Sequence, residues 1–353
     1  MPYEIDFLPV GDSNGDAICI RYGSDATGYR IHVVDGGYTD TGDTVINHIE
    51  KYYGNPTFIN HVVLSHADND HVTGLIKVME HFDVGELWMN RPWLYAAEIV
   101  QNFHGNYTAA GLEKAIRDAY PLLVEMESIA LRKGTLIREA FAFTQIGEFT
   151  VLAPSRQRYL TLIPEFNRTP PSYAKPVKGI LGQLFEAAKS LARFFETWGN
   201  EKLEENPPAC TAANESSLVQ LGNIDGRLLL LTADVGPIGL GEAADNAGFL
   251  ALLRPPEVVQ VPHHGSRRNV TPAVLNRWLG APVPEGATRG AAFCSVGANK
   301  PEYPRKRVQN AFLRRGYGVV PTRDTWKSQN HLMPAKPGSV NVSPEPFVSD
   351  YEE

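Results

Sequence analysis

The sequence predicts a layered α/β fold in which two sheets lie between helical layers. Short β-branched or alternating runs, bounded by Gly, Asn and Asp, gather in two separate halves of the chain. Each half trails segments whose apolar residues recur at helical spacing. A sheet that is apolar on one face must bury it against another layer, so two such halves stack. The 353 residues are 43% hydrophobic and 21% charged, enough apolar material for a sizeable core.

The elements follow in order. Residues 5–10, 17–22 and 29–34 read as strands around the turn-rich 11–16, and Asp35-Gly36-Gly37 ends the third. Residues 44–53 have helical spacing through Val45, Ile46, Ile49 and Tyr52. Residues 59–64 form a strand ending at Ser65-His66. From Asp70 to Phe82 the pattern is helical through Val72, Leu75, Ile76, Val78 and Met79. Residues 86–89 read as strand, 92–140 as mostly helical, and 148–152 as strand again. Residues 179–198 are amphipathic and read as helix, with 204–208 a loop. The second half offers strands at 217–221, 228–231, 258–261, 292–296 and 318–320, and helices at 272–278 and 305–314. The tail from Pro334 is rich in Pro, Ser and Glu and reads as irregular. The expected organisation is one domain over 1–330, with helical insertions at about 92–140 and 165–210, and an irregular tail over 331–353.

Composition narrows the class. No window approaches 18 uninterrupted apolar residues, so no membrane span is expected. The opening Met1-Pro2-Tyr3-Glu4 carries neither the basic nor the apolar region of a signal peptide. Cys19, Cys210 and Cys294 are far apart and odd in number, which argues against a disulfide framework or thiolate site and for a reducing cytoplasm. The net charge of −7 argues against nonspecific nucleic-acid binding. Yet residues 267–327 hold twelve Lys/Arg against three Asp/Glu, leaving −16 for the rest. That asymmetry reads either as a face for an anionic partner or as solvated helix faces.

The chemistry concentrates after the strand at 59–64. His66, Asp68, Asp70 and His71 fall within six residues, in a loop leading into a helix. Unpaired, such a cluster cannot be buried. Imidazole and carboxylate together suit zinc, manganese or iron, and four ligands exceed what one ion takes from so short a run. The alternative is an Asp-rich turn with Asp68 or Asp70 capping the helix. Asp234 and His263-His264 also follow apolar strands, where open α/β sheets collect ligands.

These residues resemble the metallo-β-lactamase superfamily. His66-Ala67-Asp68-Asn69-Asp70-His71 resembles its H-x-H-x-D-H motif, with Asp in place of the second His. That variant, followed by Val72-Thr73-Gly74, is similar to the branch containing the competence protein ComEC and the choline-phosphate esterases. The segments around Asp16-Ala17, Asp35-Gly36-Gly37, Asn214 to Val219, Pro262 to Ser266 and Ser295 to Asn299 resemble other motifs of that branch. The resemblance implies an αββα sandwich of the metallo-β-lactamase type with helical insertions. It implies two divalent metal ions, zinc or manganese: one held by His66 and Asp68, one by Asp70, His71 and His264, with Asp234 bridging. His263 and Asp70 are the expected catalytic residues, His263 facing substrate as an acid or transition-state stabiliser. Asp35 would orient the metal loop from behind. Asn214 stands where many members supply a further His, and Tyr303 stands before Pro304 where the branch often has a His.

Such a centre would hydrolyse an ester-type bond with a metal-activated water. Arg267, Arg268, Asn299, Lys300 and Tyr303 are the expected substrate contacts, and guanidinium groups pair well with phosphate oxygens. A phosphodiester, including DNA, is therefore the first expectation. The rivals are a small-molecule esterase or lactam or thioester hydrolase on the same site, and an interaction protein with a vestigial site. Trp88, Trp93, Tyr95, Phe103 and His104 line either the cleft or the core. His32, His48, His61, His81 and His331 read as structural.

Overall fold

The computed structural model describes residues 1–174 and 193–353. The strands, in chain order, are β1 (Tyr3–Phe7), β2 (Ala17–Ser24), β3 (Gly28–Gly36), β4 (Phe58–Val63), β5 (Asp83–Trp88), β6 (Leu136–Arg138), β7 (Gln145–Ile146) and β8 (Phe149–Ala153). They continue with β9 (Arg193–Phe195), β10 (Val219–Ile224), β11 (Arg227–Leu231), β12 (Val258–Gln260), β13 (Gly290–Cys294), β14 (Tyr317–Pro321), β15 (Lys327–His331) and β16 (Asp350–Glu352). One seven-stranded sheet has the order β15-β1-β2-β3-β4-β5-β6, the other β14-β13-β12-β11-β10-β8-β7. Strands β3 to β6 run parallel, as do β11 to β14.

The two sheets meet face to face. Ile18, Ile20, Val34 and Val63 of the first pack with Phe149, Val151, Leu229, Leu231 and Phe293 of the second. The helices Thr39–Tyr52, Asn69–His81 and Pro121–Lys133 share a core with the outer face of the first sheet. Pro237–Phe249, Pro272–Leu279 and Lys306–Arg314 do the same for the second. The result is an αββα sandwich. Its central strands are covered on both faces, which is why Val33-Val34, Val62-Val63 and Leu228 to Leu231 read as continuous apolar runs rather than alternations. No helix among the described residues is long and apolar enough to cross a membrane.

The structure departs from the sequence reading in several places. The helix Pro237–Phe249 carries no clear sequence signal, because its Gly and Ala leave no strong apolar stripe. Its small residues Ala243, Ala244 and Ala247 instead allow close packing on the second sheet. Strand β15 is polar throughout, yet it pairs antiparallel with β1 along its whole length. The helix expected at 179–198 lies largely outside the described residues, and its last part is instead β9, paired with β16. The tail expected to be irregular over 331–353 thus ends in a strand. It is fastened further by Lys336, whose ammonium meets the buried carboxylates of Glu4 and Asp6. Although burial opposes ionisation of Asp6, His48 and Lys336 bring its pKa down to about 2. Trp93, Tyr95 and Phe103 are core residues of the first layer, and Trp88 packs between the sheets.

The basic stretch is the largest correction. Arg307, Arg314 and Arg315 are fully buried, and each is paired: Arg307 with Glu204 and Glu353, Arg314 with Glu196, Arg315 with Glu201. These positive charges face inward onto the acidic 196–204 segment and the C-terminal residue. Counting charges along a chain cannot reveal burial, and three of the twelve cations never reach solvent.

Between the sheets, His32 and His61 lie with ring centroids 5.7 Å apart. Burial, then the neighbouring His61, pushes the pKa of His32 down to about 3. Above about pH 6.5 neither folded nor unfolded chain protonates this ring, so it has no effect on stability there. Below that the unfolded state takes up the proton first, and stability falls with pH down to about 3. His32→Gln is expected to flatten the acid limb of a urea-denaturation series between pH 6.5 and 4; an unchanged limb would contradict this.

Candidate metal centre

The site forms where three strands end together. Strand β4 delivers Ser65 and the loop His66–His71, and the helix Asn69–His81 begins inside that loop. Strand β11 delivers Asp234, and β12 delivers His263-His264. The loop is clamped from behind. A Cβ on Gly74 would lie 1.8 Å from the Gly36 oxygen, so only glycine lets this helix sit against the end of β3. Asp16 N donates to Asp70 O and Gly37 N to Asp16 O, tying the 11–16 turn into the same knot. Asp68 occupies the N-cap position, but its side chain makes no cap hydrogen bond. Capping therefore does not account for it.

Non-glycine residues adopt left-handed backbone here: Asp35 (φ 57°), Ala233 (φ 44°), His263 (φ 46°) and His264 (φ 58°). Each costs on the order of 1–3 kcal/mol, and such strain gathers at functional sites.

Asp234 is the hub. Its Oδ1 lies 3.6 Å from His71 Nε2 and 3.8 Å from His264 Nε2. Its Oδ2 lies 3.9 Å from His66 Nε2 and 3.4 Å from His263 Nε2. Asp68 Oδ2 adds to the His66 side at 3.5 Å. Asp70 Oδ2 adds to the other, 3.9 Å from His71 Nε2 and 3.8 Å from His264 Nε2. The six ligands expected from sequence therefore converge, and His263 converges with them.

The outer nitrogens fix what the inner ones present. His71 Nδ1 faces Asp35 Oδ2 at 2.8 Å, and His264 Nδ1 faces the Ser295 carbonyl at 2.8 Å. Ser65 Oγ donates to Asp35 Oδ2 at 2.6 Å, so towards His66 Nδ1, 3.0 Å away, it acts as acceptor. Asn269 Nδ2 donates to the carbonyls of Asp234 and Val235, which turns its Oδ1 to His263 Nδ1 at 3.0 Å. Each ring thus carries its hydrogen on Nδ1 and aims an Nε2 lone pair inward. Those of His66, His71 and His264, with Asp234 Oδ1, are buried without a hydrogen-bond partner. Lone pairs and carboxylates converging with no donor between them suit cations, so the residues fit a metal pair.

The charges agree. Burial opposes ionisation of Asp234, yet His263, His71 and His264 hold its pKa well below the usual carboxylate range. Burial likewise opposes protonation of His71, but Asp234 and Asp35 hold it well up. For His264 burial wins, and its pKa falls to about 4. Asp16, placed by sequence only in a turn, is fully enclosed 3.9 Å from His71 Nδ1, and burial pushes its carboxyl up to about 8. Sequence reasoning also missed Ser65, Asn269 and Ser295, whose polar atoms act on the ligands from behind. Ser65 adjoins His66, Asn269 lies six residues after His263 and Ser295 lies 31 after His264, and residue type alone does not show that their polar atoms turn to these rings.

The other expected residues are placed less centrally. Asn214 Nδ2 reaches His263 Nδ1 at 3.3 Å, and its Oδ1 accepts from Thr211. Arg267 lies 3.9 Å from Glu204. The backbone of Ala298 and Asn299 is pinned to the turn at Gly11 and Asp12, and Lys300 closes the next turn onto Gly297. The Tyr303 ring lies under Arg305, while Pro304 packs against Gly265 in the histidine turn. A cavity of about 180 Å³ opens beside His66 and Asp68, lined also by Tyr120, Leu123, Tyr159, Phe166 and Arg168.

No protein-family model matches the chain, and no curated protein does. Solved structures with similar arrangements include a diphosphatase from the PhnP family: 8% identity, 94% of this chain, 98% of that one, TM-score 0.39. The MIM-2 metallo-beta-lactamase is 12% identical over 72% of this chain and 74% of its own, with TM-score 0.32. CmlA, a diiron beta-hydroxylase from Streptomyces venezuelae, is 14% identical over 90% of this chain but 41% of its own, with TM-score 0.34.

Proposed function

We propose that this chain is a metal-dependent hydrolase that uses two divalent cations, zinc or manganese, on a phosphodiester. The observation that carries the reading is the convergence of four histidine Nε2 atoms on the two oxygens of buried Asp234. His66, Asp68, Asp234 Oδ2 and His263 would hold one cation, and Asp70, His71, His264 and Asp234 Oδ1 the other. In this assignment His263 takes up the place that Asn214 leaves open, and Asn269 Oδ1 holds its Nδ1 hydrogen. The His263 side chain is 36% exposed, so it also borders the space that substrate would enter. When bound, such a pair brings the pKa of water from 15.7 towards ~7 and stabilises charge on the attacking and leaving oxygens. Asp35 keeps His71 oriented, Ser65 keeps His66 oriented, and Asn269 keeps His263 oriented. Kinship with the metallo-β-lactamase superfamily and its ComEC-like branch rests on the motifs, and a reducing cytoplasmic setting accords with three free cysteines.

The burial of Arg307, one of the cations expected to face an anion, weakens the support for a polyanion such as DNA. The small cavity that opens beside His66 favours a second reading, a small-molecule esterase on the same centre. Metal analysis of the purified chain, with assays on a bis-nitrophenyl phosphate and on plasmid DNA, tests both. Two cations per chain are expected, with diester cleavage lost to chelator and restored by zinc or manganese. Less than one tightly held metal per chain would instead support a vestigial site.

A further inference from the structure

The cavity beside His66 and Asp68 carries information about what the centre cleaves. Its volume of about 180 Å³ is close to the ~150 Å³ of an apolar protein cavity that binds benzene. Leu123, Tyr159 and Phe166 wall it, each exposed by less than 5% and each part of the first-layer core. Pro92 adds a further apolar wall. The slot thus suits one compact ring and is too small for a larger polycyclic group.

Among the described residues that line it, one is a lasting cation, Arg168. The Arg168 guanidinium donates to Asn69 Oδ1 at 2.9 Å and lies 5.9 Å from the centre of the Tyr120 ring. Asn69 belongs to the 66–71 loop, so Arg168 is fastened to the ligand loop itself. Among the described residues no carboxylate forms an ion pair with it within 4.0 Å. A positive charge held beside a cation site opposes metal binding, unless an anion comes to lie between them. Guanidinium pairs well with phosphate oxygens.

Resting on the hydrolase reading above, we infer that the substrate is a phosphoester bearing a single aromatic ring. The ring occupies the slot formed by Leu123, Tyr159 and Phe166, and Arg168 meets a phosphate oxygen.

Calorimetry on the full chain with its metals tests this without turnover, using phenylphosphonate and methylphosphonate as probes. The phenyl compound is expected to bind at least tenfold more tightly. Leu123→Trp, which fills the slot, should bring the ratio close to one. Arg168→Leu should weaken both probes by about tenfold and leave their ratio intact. Equal affinities in the unaltered chain overturn the inference, as does a ratio that Leu123→Trp leaves unchanged. The unaltered chain decides even if the Trp variant fails to fold. If the phenyl preference holds while no phosphoester is cleaved, the hydrolase reading falls and the slot stands as a binding site.

Discussion

Replacing Asp234 with Asn is expected to lower bound metal from two cations per chain to at most one, and to cut hydrolysis on the order of 10³-fold. The change is nearly isosteric, but it alters the one group that faces both halves of the centre. Oδ1 serves the His71–His264 side and Oδ2 the His66–His263 side. An amide keeps one oxygen, loses the charge, and turns two hydrogens towards lone pairs that a cation would otherwise accept. Elemental analysis and diester kinetics on the same preparation measure both effects. A variant that still holds two cations and cleaves at the parental rate would show that Asp234 does not bridge.

The second large effect lies away from the centre. Arg314→Leu is expected to destabilise the fold by about 3–5 kcal/mol, because it leaves Glu196 charged and buried without its cation. Glu196 is 0% exposed at its side chain, and Arg314 is its ion-pair partner at 2.5 Å. Arg314 also donates to the carbonyls of Thr197 and Trp198, so the residue anchors the segment that follows β9. Asn310 and the Tyr351 hydroxyl converge on the other oxygen of Glu196. Adding Glu196→Leu should recover much of the loss, since the stranded charge then disappears. Urea denaturation of the two variants decides it. A single variant within 1 kcal/mol of the parent would show that the pair is dispensable.

The ligand loop was legible because its chemistry is contiguous. Four donors in six residues, after an apolar strand, leave few structural explanations, and Asp68 makes no cap bond that would supply one. Asp234 and His263-His264 were legible for a related reason: each sits at the end of an unmistakable strand. The helix Pro237–Phe249 and strand β15 were not, because neither carries a periodic apolar face of its own. Packing against a sheet already formed stabilises the first, and pairing with the edge of β1 the second.

By itself the sequence determined the layering of two sheets between helices and the strand-end placement of the candidate ligands. Those properties depend on neighbours along the chain, where periodicity and residue type act directly. Only the tertiary structure decided that His263 reaches Asp234 Oδ2, that Asp16 lies enclosed beside His71, and that three arginines of a basic stretch face inward. The direction of a side chain and the burial of a charge depend on residues distant in sequence. The free energy that sets them comes from desolvation and from partners that the fold alone brings within reach.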